Sequence, residues 1–189
     1  LAVKRLADGA EWPVVLPPAV RRLDAIRWNA AGTMFAFTNE AADGVELWIV
    51  EAATRKARQV LGLLLNPVLG SAVQWLPDQK TLLVKSVPAG RGEPPAAPPL
   101  PPGPKVQESL GVSKASSTYE ARDLLKTPHD ADLFDHYAMS QLAVVNAATG
   151  ETTGIGRPGV YFGVEAAPGG AYLLVERLRR PYSFLVACH

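Results

Sequence analysis

The sequence predicts an all-β fold: a partial β-propeller of four-stranded antiparallel blades, with a Pro-rich and helical insertion in one blade. Three observations predict it. A strand-turn-strand unit recurs as IRWNAAGTMFAF (26–37), VQWLPDQKTLLV (73–84) and VEAAPGGAYLLV (164–175). The apolar segments are short and favour Val, Leu, Ile, Phe and Trp, which suits buried strands better than helices. Trp28 and Trp75 stand 47 residues apart, about the length of one propeller blade.

The elements follow in chain order. LAVKRLADGA (1–10) fits the frame of LAVVNAATGE (142–151), with Asp8-Gly9 where Thr149-Gly150 stands, so residues 1–23 read as the end of a blade. Residues 24–62 read as a complete blade. Its first turn is Asn29-Ala30-Ala31-Gly32, and its second half, LWIVEAATRK (47–56), shares the pattern Val-x-Ala-Ala-Thr with residues 145–149. Residues 70–156 read as a second blade, turning at Pro77-Asp78-Gln79, and residues 160–189 as the start of a third, turning at Pro168-Gly169-Gly170. Pro, Asp and Gly supply the fixed or positive φ that tight turns need. An arc of this kind leaves two apolar faces and unpaired edges, so the native protein is expected to continue beyond both ends.

The distance from Trp75 to Ala166, 91 residues, is nearly twice one unit and signals an insertion, placed at 86–138 where strand signals vanish. Its first part, GEPPAAPPLPPGPK (92–105), carries seven prolines and reads as extended, polyproline-like spacer. Its last part, DLLKTPHDADLFDHY (123–137), holds four Asp and two of the three His. Thr127-Pro128-His129-Asp130 has the form of a helix start: Thr as N-cap, Pro at the first helical position and an acid in the first turn. Leu133, Phe134 and Tyr137 then form an apolar stripe, and TYEARDLLK (118–126) a second short helix, so the insertion is expected to be a helical cap. Asp132 and His136 lie four apart, a spacing that can hold a metal, but His129 and His136 are seven apart with no HExxH pattern and no Cys nearby. A solvated helix face is the expectation, with no metal and no cofactor.

Two further motifs invite chemistry and lose it on context. GIGRPG (154–159) satisfies G-x-G-x-x-G, but an apolar run follows Pro158 where a dinucleotide fold requires a helix, so an inter-blade turn is expected. GVSKA (111–115) approximates a nucleophile elbow, but Ala115 replaces the last glycine and no strand precedes it, which leaves Ser113 a loop serine.

Composition bounds the rest. With 48% apolar and 20% charged residues the chain is globular, and a net charge of +1 supplies no basic field for nucleic acid or an anionic membrane. The single cysteine, Cys188, forms no intrachain disulfide and leaves the compartment open. The most apolar run, LGLLLNPVLGSAV (61–73), is too short to span a bilayer. A soluble chain is expected, compatible with a periplasmic or secreted location, and the opening LAVKRLADG lacks both an initiator Met and a signal-peptide pattern.

The order of GPKVQ (103–107), YEARDLLKTPHDADLFDHYAMSQL (119–142) and VYFGVEAAPGGAYLLVERLRRPYSFLV (160–186) resembles the N-terminal propeller of the glutamyl endopeptidase branch of the prolyl oligopeptidase family. The resemblance implies a serine peptidase in which a propeller covers a C-terminal α/β-hydrolase domain carrying Ser, Asp and His, and which cuts short peptides after Glu. No catalytic position of that domain maps onto this chain, so the chain alone is expected to be inactive: a non-catalytic lid, with the hydrolase domain and peptide substrate as its partners. A site that reads a Glu side chain needs a positive group, and Arg offers bidentate geometry. Arg179 and Arg180, followed by Tyr182, are the substrate-facing candidates. The alternative is a free-standing propeller-like protein-binding module.

Overall fold

In the computed structural model the structure describes residues 1–99, 125 and 127–182. These divide into two compact units. The first comprises residues 1–91 and 138–178, and the described part of the second comprises 92–99, 125, 127–137 and 179–182.

The first unit is built from antiparallel strands. A two-stranded sheet pairs β1 (Ala2–Lys4) with β2 (Glu11–Pro13). A four-stranded antiparallel meander follows: β3 (Leu23–Trp28), β4 (Met34–Ala41), β5 (Gly44–Glu51) and β6 (Ala57–Leu65), each paired with the next. The next repeat pairs β7 (Val73–Trp75) with β8 (Thr81–Ser86), β8 with β9 (Met139–Asn146), and β9 with the first half of β10 (Thr152–Ala166). The second half of β10 pairs with β11 (Leu173–Arg177). The all-β class with four-stranded antiparallel blades is thus what the chain adopts. Leu65 opposite Ser86, flanked by hydrogen bonds from the Asn66 N–H to the Lys85 carbonyl and from the Val87 N–H to the Leu64 carbonyl, joins the two meanders edge to edge.

Each recurrence in sequence is a recurrence in hydrogen bonding. In the three strand-turn-strand units the turn opens with Asn29, Leu76 or Ala167, whose N–H donates to the carbonyl five residues on, in Met34, Thr81 and Tyr172. In each, the residue three positions later donates back to it, and that residue is left-handed: Gly32 at φ 65°, Gln79 at 60° and Gly170 at 71°. The other recurring turn behaves alike. Gly9, Arg55 and Gly150 all have positive φ and donate to the carbonyl four residues back, in Arg5, Glu51 and Asn146. The frame that aligned residues 1–10 with 142–151 is therefore a conformational identity, not a compositional accident.

Side-chain alternation produces two cores. Ala36, Leu47 and Ile49 point to one face of the first meander, where they join Leu82, Val84, Ala143 and Val145 of the second. Phe35, Phe37, Trp48 and Val50 point to the other, against Val14 and Val20 of the N-terminal segment. Burial on both faces explains why these strands read as continuous apolar runs.

GIGRPG lies inside β10, where the register against β9 shifts between Ile155 and Gly159. Gly156 there has a φ of 63°. The shift re-aims the strand from one partner toward the next, and β10 runs on through it to Ala166 rather than turning into a helix. Among the described residues no helix is long and apolar enough to cross a membrane.

In the second unit, residues 94–99 form neither helix nor strand and are exposed. The helix α1 (Pro128–Ala138) begins where its cap residues place it. The Asp130 N–H donates to the Thr127 hydroxyl at 3.2 Å, and the Thr127 N–H to the Asp130 carboxylate at 2.9 Å, a reciprocal capping box. The apolar stripe differs from expectation. Ala131 and Ala138 are the buried positions, whereas Tyr137 is 45% exposed. Small residues seven apart take the inward face, and the larger Phe134 reaches sideways to an aromatic partner. The expected helix at 118–126, Ser113 and Cys188 lie outside the described residues, apart from position 125.

Candidate functional site

In the second unit the acidic helix and the arginine pair meet. Asp132 and Asp135 lie three apart on α1 and so share a face. The Arg180 guanidinium lies between them, donating to Asp132 Oδ1 at 2.5 Å and to Asp135 Oδ2 at 2.6 Å. The Tyr182 hydroxyl donates to the other Asp135 oxygen. Phe134 packs edge-on against the Tyr182 ring with centroids 5.1 Å apart.

The electrostatics follow from this fork. The Asp132 and Asp135 hydrogen bonds raise the Arg180 pKa further, keeping the guanidinium charged at every accessible pH. Burial, reinforced by the hydrogen bond to Asp135, pushes the Tyr182 phenol up to about 12.

The sequence expected Asp132 and His136 to be solvated and Arg180 to face substrate. The Asp132 carboxylate pairs with Arg180 while both side chains stay about half exposed, and the His136 ring stacks edge-on against Tyr137 at 5.0 Å. Among the described residues no group of three or more His, Cys, Asp or Glu has the arrangement to hold a metal. Of the three candidates, Arg180 and Tyr182 are brought together by Asp135, and Arg179 stays exposed beside them.

The first unit holds a second concentration of polar groups, which sequence reasoning missed. Arg27, Trp28, Ser71, Gln74, Trp75 and Lys85 line a pocket of about 380 Å³ together with apolar residues of β7 to β10. The Trp75 indole N–H donates to the Arg27 carbonyl at 2.9 Å, and the Trp28 ring rests against Phe35 with centroids 4.8 Å apart. Lys85 is only 6% exposed. Its signal was present in the strand TLLVKS: alternation sets Leu82 and Val84 on one face and Leu83 and Lys85 on the other. Alternation alone does not say that this second face is also covered.

Comparison with known proteins gives a consistent picture. The chain is 35% identical over 180 residues to a probable glutamyl endopeptidase, chloroplastic, of Oryza sativa subsp. japonica, covering 90% of this chain. It is 37% identical over 175 residues to the protein of the same description in Arabidopsis thaliana, covering 88%. The chain spans only 19% and 18% of the length of these two relatives. No protein-family profile matches it. Among solved structures, TolB from Acinetobacter baumannii aligns with 95% of this chain and 32% of its own at 11% identity and a TM-score of 0.48, a likeness too loose to decide anything.

Proposed function

From the premise that this chain is a homologue of glutamyl endopeptidases over nine-tenths of its length, we propose that it is the non-catalytic propeller portion of a serine endopeptidase. In this reading a longer chain carries, in addition, an α/β-hydrolase domain with the Ser, Asp and His that perform acyl transfer. The observation that carries the reading is the identity with the two plant proteins, 35% over 180 residues and 37% over 175.

In this reading the physical role is that of a lid. A rigid β-framework over an active site admits chains short or flexible enough to enter, and limits water during acyl transfer. Selection by size protects folded proteins, while cleavage after Glu demands a cationic group for the side-chain carboxylate. Arg179, exposed and followed by the Arg180–Asp135–Tyr182 cluster, is the available substrate-facing cation of that segment. Arg180 and Tyr182 hold the segment's conformation through α1.

The reading frame beyond His189 tests this directly. A downstream G-x-S-x-G followed in order by Asp and His is expected. Closing blades and a stop codon without that order would overturn it in favour of a free-standing binding module.

A further inference from the structure

Among the described residues Lys85 is a buried cation without an acid. Its ammonium donates to the Leu69 carbonyl, and among the described residues it has no carboxylate partner. An ammonium has three donors, so two remain unspent. Burial pushes Lys85 below the ordinary lysine range. A buried charge is costly unless it is paired and hydrogen-bonded, and a methionine would fill the same space without that cost. The stem therefore does not account for the residue, and the charge does.

The surroundings say what the charge meets. Among the described residues the pocket lining holds two cations, Arg27 and Lys85, and no acid. Arg27 spends one guanidinium donor on the Ile26 carbonyl at 3.0 Å and is otherwise exposed. Trp28 is 47% exposed and Trp75 is fixed by its bond to Arg27, so two indoles present apolar surface beside two cations. At about 380 Å³ the space falls within the range of small-ligand sites, roughly 300–1,000 Å³.

We propose that this pocket binds the side-chain carboxylate of an acidic peptide, with Lys85 meeting the carboxylate, Arg27 guarding the mouth, and Trp28 and Trp75 covering the aliphatic stem. Gln74 is at hand for the peptide backbone, and the Ser71 hydroxyl, which donates to the Val73 carbonyl at 3.1 Å, can accept from it. The assignment rests on the peptidase reading and deepens it, placing recognition of Glu-containing chains on the β-framework itself.

The test is equilibrium binding without turnover. The 189-residue chain is titrated with a short peptide blocked at both ends and carrying one Glu, with its Gln counterpart, and with the Gln peptide bearing a free C-terminal carboxylate. The Glu peptide is expected to bind at least tenfold tighter than the blocked Gln peptide. Lys85→Met should abolish that preference, weakening the Glu peptide by about 30-fold, while melting at or above the temperature of the unsubstituted chain. Arg27→Gln, at an exposed position, should weaken the Glu peptide severalfold and provides the readout if Lys85→Met fails to fold. Equal binding of the Glu and blocked Gln peptides overturns the proposal, as does a preference that survives Lys85→Met. Preference for the free C-terminal carboxylate over the Glu side chain also overturns it. None of these outcomes touches the peptidase reading, which the downstream frame decides separately.

Discussion

Asn39 is fully buried and every polar atom of its side chain is used. Its carbonyl accepts the Arg21 and Arg22 amides at 3.1 and 3.2 Å, and its amide donates to Glu46 at 2.8 Å. Glu46 in turn accepts from Trp48 and Gln59, each at 2.9 Å. Asn39→Ala leaves two backbone amides and a carboxylate short of partners, so chemical denaturation should show a loss of about 2–3 kcal/mol. Titration gives a second prediction at this scale. The Tyr182 pKa lies above its ordinary 10, so the folded state holds that proton more tightly than the unfolded chain. The stabilising contribution is then present below pH 10 and disappears as pH climbs through about 12. Asp135→Asn should bring phenol ionisation, followed by ultraviolet absorbance, down toward pH 10. Sequence reading could not supply these pairings: Arg180 and its two aspartates are 48 and 45 residues apart, and no local pattern encodes such a meeting.

Local elements were far more legible, because the forces that set them are local. Thr127-Pro128-x-Asp130 named the start of α1 through its capping box, and Asn29-Ala-Ala-Gly32 and Pro168-Gly-Gly170 named their turns through the left-handed position each requires. Gly170 sits at φ 71° with Pro77 at 3.8 Å from where a Cβ would stand, whereas Gly169 is neither left-handed nor crowded. Gly170→Ala should therefore cost about 1–2 kcal/mol through strain alone, while Gly169→Ala should leave the melting temperature unchanged within error. Equal effects at the two positions would contradict the turn assignment. Gln79 shows where the sequence rule bends. It occupies the equivalent left-handed position at φ 60° without being glycine, and its carbonyl and side chain tie the Asn29 and Ala30 turn to its own. Contact between neighbouring turns offsets a local cost that propensity alone would forbid.

At the scale of the whole molecule, the repeat made the all-β class readable because each unit satisfies the same hydrogen-bonding frame and buries the same alternate residues. The charge in the Lys85 pocket was not readable, since it depends on strands from three recurrences converging. Under the proposed function this chain would shape and select for a peptidase without performing its chemistry. A hydrolysis assay tests it most directly: the 189-residue chain, and the same chain extended through its downstream reading frame, are each given a short peptide with a single Glu. The extended protein is predicted to cut after Glu and the 189-residue chain to leave the peptide intact. Cleavage by the 189-residue chain that persists through purification, and that a substitution within residues 1–189 abolishes, would contradict the account.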